Sequence, residues 1–350
     1  MNTTNTIKNY FSFIFLFLFL GNVIAQPGIG IPFGFTPTTP VVAPPAFAGA
    51  IVTASAQDNS MIILSPAGFN FPFAGTTYPY LLTSTNGWVA LLSASDLSAS
   101  VATTTDSVAV ASGDSSVTVP NAALASIAVG MFVSGNSILT NSGYAQVINV
   151  DLVTKKVKLN VRFTAAVAAG VGTFNFFNLI PVYFNSTLPT NQLSTYAGAR
   201  PLITPLWDDL ATSSFAYNLT GSVYSIRWTS KWDKANATAN NLCWLRFDAT
   251  PGATYGNIGF NYYNQAYTTA GTPSASIGIA GVCTGDFYSV RPTAPTTAAY
   301  DSTSSSDTLS GQGAGSLRFN NFSITWNPFS PNDNCSGTRL PTDLGLITSS

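Results

Sequence analysis

From Gln26 onward, apolar residues recur at every second position in short runs, and the runs end at Gly, Pro, Asn or Ser. Tyr224, Ile226 and Trp228 alternate with Val223, Ser225, Arg227 and Thr229. Ile258, Phe260 and Tyr262 alternate with Gly259 and Asn261, and Phe319, Phe322 and Ile324-Thr325-Trp326 close the set. A period of two puts successive side chains on opposite faces of a strand, and no stretch shows the 3.6 period of an amphipathic helix. Asn86-Gly87 stands between Leu81-Leu82-Thr83 and Trp88-Val89-Ala90-Leu91. That dipeptide predicts a two-residue type I′ hairpin turn, in which both central residues take positive φ. Many short strands with such turns predict an all-β chain folded as a sandwich or barrel, with a jelly-roll-like β-sandwich the expected class.

The acids and bases narrow the chemistry. The chain has no histidine, and all 14 acidic residues are aspartate, from Asp58 to Asp343. Without histidine there is no Ser-His-Asp triad, Cys-His dyad or His-based zinc site. Charged residues make up 8% of the chain, against about 25% in an average soluble domain, so the polarity comes from Ser, Thr, Asn and Gly. Apolar and aromatic residues are abundant enough for a core. A net charge of -1 leaves no electrostatic footprint for nucleic acid. Lys155, Lys156, Lys158 and Arg162 form the only basic cluster, which reads as the solvated face of a hairpin.

Residues 1–25 read as a signal peptide. Lys8 supplies the positive start, Phe11 to Leu20 is an apolar run short for a bilayer span, and Val23-Ile24-Ala25 is the expected cleavage site. The mature chain is then secreted or displayed at the cell surface, with no membrane span left. Residues 26–48 are rich in Pro and Gly and read as a leader or linker. Between Asp96 and Asn185 aromatics become sparse and Ala, Val, Ser and Thr dominate. Residues 116–119, 131–133, 145–150 and 157–161 carry strand signals there. A loop this long without structure of its own is uncommon. The expected organisation is therefore a sandwich built from 49–103 and 179–329, a small β domain inserted over 104–178, and a further module or tail from 330 to 350.

Cys243, Cys283 and Cys335 make an odd count for an exported chain. Cys243 and Cys283 are the candidate disulfide, although sequence does not fix their geometry. Cys335 is then left with a partner expected beyond Ser350, as in the front part of a longer protein. Candidate chemistry comes down to Asp208 and Asp209. On one strand they point to opposite faces and cannot flank a sugar bond as a glycosidase pair does. In a loop both carboxylates reach a hard cation such as calcium, the one cofactor considered. The alternative has Trp207 in the core and the aspartates bonding local amides. Ligand-stacking aromatics would be Trp232 and Tyr267, which sit beside polar residues.

Phe69-Asn70-Phe71-Pro72-Phe73-Ala74-Gly75-Thr76-Thr77-Tyr78, followed by Ser84-Thr85-Asn86-Gly87-Trp88-Val89, resembles the opening of a β-sandwich module of exported surface proteins from Bacteroidota-type bacteria. Pro205-Leu206-Trp207-Asp208-Asp209-Leu210, Ser225-Ile226-Arg227-Trp228, Gly256-Asn257-Ile258-Gly259-Phe260 and Ser274-Ala275-Ser276-Ile277-Gly278-Ile279 resemble its later blocks. The insertion is similar to small β modules of bacterial surface and phage-tail proteins, and Pro331-Asn332-Asp333-Asn334-Cys335 to the start of a further module. The resemblance implies an adhesin-like or matrix-like protein, often exported by type IX secretion, although no sorting domain is recognisable. It also implies O-glycosylation after Asp, at Ser107, Ser302 and Thr308.

Three functions compete. The first is a non-catalytic adhesion module that binds extracellular glycans or matrix. The second is a self-assembling structural subunit, a filament or sheath former, which low charge and many uncharged polar residues suggest. The third is a glycoside hydrolase, disfavoured by the missing Glu and His.

Overall fold

The computed structural model describes residues 33–38, 49–51, 60–73, 76–135, 138, 143–179, 201–208, 210–231, 241–249, 256–263, 276–281, 287–294, 297–301 and 322–328. These residues form an all-β protein. Among them, two antiparallel sheets of seven strands pair with a six-stranded sheet and a two-stranded ribbon. The first large sheet runs in the order Phe33–Thr38, Phe322–Pro328, Asn257–Tyr263, Asn241–Asp248, Val223–Lys231, Ala211–Thr220 and Gly49–Ile51. The second runs Thr297–Asp301, Phe287–Ala294, Ser276–Ala280, Leu202–Trp207, Val89–Leu92, Tyr80–Ser84 and Met61–Leu64.

The two sheets face each other over one core, and the alternation sets its composition. Tyr224, Ile226, Trp228, Leu245, Phe247, Ile258, Phe260 and Tyr262 from the first sheet share a cluster with Ile62, Leu81, Val89, Leu91, Ile203, Ile277 and Ile279 from the second. Trp228, assigned to the core by its spacing, lies buried there. A fully buried large apolar side chain contributes about 1.5–3 kcal/mol. The layers are also pinned by hydrogen bonds. Trp228 Nε1 donates to the Ser84 carbonyl at 2.8 Å, and the Tyr262 hydroxyl donates to the Pro205 carbonyl. A buried indole N–H or phenol takes a partner, and here each finds one on the opposite sheet.

Residues 102–177 supply a sheet of their own, ordered Ala102–Thr105, Thr173–Phe177, Phe132–Gly135, Ala145–Asp151, Lys156–Leu159 and Ser116–Thr118. The chain enters and leaves at Leu97 and Leu179, which are bridged to one another. This unit packs on the outer face of the second large sheet. Phe132 joins Met61, Ile63, Leu82, Trp88, Leu92 and Trp207 in a second apolar cluster, with Tyr80, Tyr144 and Leu179 against it. The contact is polar as well as apolar. Asn160 is fully buried and donates through Nδ2 to Ser60 Oγ at 2.6 Å and to the Met61 carbonyl at 2.7 Å. Its Oδ1 accepts the Gln146 N–H at 2.8 Å. A backbone bridge between Ile63 and Tyr144 joins the unit to Met61–Leu64, the edge strand of that sheet.

Three details depart from the sequence expectations. The turn at Asn86-Gly87 is not type I′, because only Gly87 has positive φ, at 75°. Ser84 N–H bonds the Trp88 carbonyl and Gly87 N–H bonds the Ser84 carbonyl, so Thr85, Asn86 and Gly87 form a three-residue loop with one left-handed glycine. Phe33–Thr38, expected within a linker, is an edge strand paired with Phe322–Pro328. An edge strand accommodates Pro37, whose missing N–H costs a central strand a ladder bond. A four-residue helix at Asn121–Leu124 and a 3-10 turn at Ala94–Asp96 interrupt the strands.

Candidate functional site

On the first large sheet, the residues between the core positions point outward. Pairing registers put them in rows. Ala216, Arg227, Trp244 and Asn261 lie side by side across four strands. The next row is Asn218, Ser225, Arg246 and Gly259, and the third is Thr220, Val223, Asp248 and Asn257. Apart from Trp244 and Val223 the rows carry small, amide, hydroxyl or charged groups. Trp244 belongs to neither apolar cluster and is 5% exposed, so its ring offers no stacking platform.

Gly259 gives this face its relief. Among the described residues, a Cβ built there would meet Arg246 Cβ at 3.6 Å and Asn261 Nδ2 at 3.9 Å and nothing nearer. The missing side chain leaves a recess bordered by Arg246 across the strands and by Asn257 and Asn261 along its own strand. A strand-interior glycine weakens a sheet and marks a place where another group comes close to the backbone. Arg246 is half exposed and pairs with Asp248 at 3.6 Å, while Ser222 Oγ donates to Asp248 Oδ1 at 3.2 Å. Arg227 is partly withdrawn from water, and that desolvation lowers its pKa. The rim thus presents a guanidinium, two carboxamides and a carboxylate around bare backbone.

The sequence-selected residues fall elsewhere. Asp208 follows the strand Leu202–Trp207 in a bend; its N–H bonds the Asn86 carbonyl at 3.3 Å and its carbonyl accepts Leu210 N–H at 2.9 Å. Trp207 is buried in the second cluster. Asp209 lies outside the described residues, as do Trp232, Tyr267, Cys283, Cys335, Ser302 and Thr308. Among the described residues no group of three or more Asp or Cys side chains is placed to hold a metal ion. Cys243 is a free, buried thiol, and burial pushes its pKa up. Ser107 is exposed in the inserted unit, with Oγ donating to the Thr118 carbonyl at 3.0 Å. Asp106 beside it is buried, and Oδ1 accepts Gly170 N–H at 3.1 Å.

No exposed ring marks the Gly259 face among the described residues. The signal was present in the alternation itself, which already put Gly259 and Asn261 on the outward side.

Residues 160–328 match a family described as NIDO related. That span takes in every strand from Thr173–Phe177 to Phe322–Pro328, and with them the Gly259 face. No curated protein matches the chain. Among solved structures, a chain of the phage phi92 endosialidase aligns at 10% identity with a TM-score of 0.16. The alignment covers 75% of this chain and 49% of that one, about half its length. A likeness this slight carries no argument about fold or activity.

Proposed function

We propose that the chain is an exported, non-catalytic binding module, and that its ligand surface is the outward face around Gly259. The ligand class is an uncharged, hydroxyl-rich polymer such as an extracellular glycan. The observation that carries this reading is the recess over Gly259, rimmed by Arg246, Asn257 and Asn261. Guanidinium and carboxamide groups donate and accept in the geometry that sugar hydroxyls need. Polar specificity groups around a depression are the usual make-up of a ligand site.

The apolar run Phe11 to Leu20 supports export, and the resemblance to surface modules supports a place outside the cell. The absence of Glu and His from the sequence supports binding without catalysis. A glycan array probed with the purified protein tests the reading. Retention on a defined set of neutral glycans, reduced tenfold or more by Arg246→Ala with Asn261→Ala, is the expected result. Release of reducing sugar from a retained glycan would instead assign the protein to the hydrolases.

A further inference from the structure

The inserted unit carries a surface of a different kind. Strands Ala145–Asp151 and Lys156–Leu159 form a hairpin whose tip holds Leu152, 69% exposed, and Val153, 89% exposed. The tip is held in shape by Asp151. Its Oδ1 accepts the N–H of Val153 at 2.9 Å and of Thr154 at 3.1 Å, and its Oδ2 accepts the Thr154 hydroxyl at 2.6 Å. The Thr154 hydroxyl and these amides lower the Asp151 pKa. Behind the tip come Lys155, Lys156 and Lys158, all exposed, while Val157 and Leu159 turn inward. Lys155 has φ of 58°, a left-handed conformation that Gly or Asn adopts at lower cost.

Two apolar side chains stand at the tip, with Lys155 in the turn and Lys156 and Lys158 on the strand behind. Asp151 lies opposite Lys156, and the net positive collar behind an apolar point matches the layering of a membrane surface. The acyl boundary takes the apolar groups and the headgroup phosphates take the lysines. We infer that this hairpin docks on an anionic lipid bilayer, with Leu152 and Val153 entering the headgroup boundary and Lys155, Lys156 and Lys158 meeting lipid phosphates. A soluble acidic polymer would satisfy the lysines but leave the two apolar residues unused. The inference is independent of the Gly259 face, which lies on another sheet.

Sedimentation of the mature chain, from Gln26 onward, with vesicles tests it. Vesicles of equal phosphatidylglycerol and phosphatidylcholine should retain the protein at 50 mM salt, and phosphatidylcholine alone should not. Raising salt to 500 mM should weaken binding about tenfold or more, because the cations are screened. L152N with V153N should lower partitioning about tenfold, and K156S with K158S about as much. Val153→Trp keeps the tip apolar, and its added emission should shift to the blue with anionic vesicles. Absence of retention on the anionic vesicles would overturn the inference. So would wild-type retention of L152N with V153N, or an unshifted tryptophan at 153, either of which would mean a contact through charge alone.

Discussion

Tyr224 sits in the core with its hydroxyl buried and without a hydrogen-bond partner among the described residues. Its ring packs 5.3 Å from Phe69 and 6.1 Å from Tyr217 between centroids, so the ring contributes to the core and the oxygen does not. A buried hydroxyl left unpaired costs free energy that a hydrogen atom would not. Tyr224→Phe should therefore raise stability by about 1 kcal/mol, read from chemical denaturation. The same burial raises the Tyr224 pKa, with Tyr217 adding to the effect. A tyrosine whose folded pKa lies above its unfolded value contributes stability that is complete below pH about 10 and is lost as pH climbs toward the folded pKa. The alkaline loss should accordingly be shallower in Tyr224→Phe than in the wild type. An unchanged alkaline slope would mean that the hydroxyl has a partner or reaches water.

At the scale of the element, the loop Thr85-Asn86-Gly87 makes the sharpest demand on a single residue. Gly87 has φ of 75°, and a Cβ there would lie 2.0 Å from the Leu206 carbonyl oxygen. The same strand bonds back, with Leu206 N–H donating to the Gly87 carbonyl. Gly87→Ala should cost about 2 kcal/mol or more, since it adds left-handed strain to a backbone overlap. A loss below 0.5 kcal/mol in thermal or denaturant unfolding would show that the loop relaxes freely. This loop also shows what the sequence conveyed. The hairpin was legible from Asn86-Gly87 between two apolar runs. Its type was not, because Thr85 also belongs to the loop and local preference alone does not count loop residues. Strand faces were legible wherever alternation was clean, as at Tyr224, Ile226 and Trp228. Asn160 broke the pattern: next to inward Leu159 it should face water, yet it is buried. Only the packing of the inserted unit on Ser60 and Met61 accounts for that, and a contact between residues about a hundred positions apart leaves no local signature.

The whole molecule depends on that contact. The inserted unit adds Phe132 and Tyr144 to the apolar cluster of Met61, Ile63, Leu82, Trp88, Leu92 and Trp207, and bridges the edge strand through Ile63 and Tyr144. Asn160→Ala should leave the Gln146 N–H and the Met61 carbonyl without their buried partner and cost about 2–4 kcal/mol. Unfolding with a separate early phase at the inserted unit would accompany the loss. A variant as stable as the wild type would mean that the two units are joined by their apolar residues alone. The Gly259 face belongs to the other large sheet, where Arg246 and Asn257 are exposed. Its four strands follow one another in the chain, from Ala211–Thr220 to Asn257–Tyr263, but alternation alone gives only the side each residue faces; which outward residues share a row depends on the pairing registers.

Gly259→Val tests the proposed binding surface most directly. Among the described residues the added Cβ meets only ordinary contacts at 3.6 and 3.9 Å, and a β-branched residue suits a strand better than glycine does. Stability should hold or rise by up to about 1 kcal/mol. The recess, however, would be filled. With glycan affinity and melting temperature measured on the same sample, the account predicts a folded protein that has lost its glycan affinity at least tenfold. A Gly259→Val protein that melts like the wild type and binds the same glycans with the same affinity would contradict it.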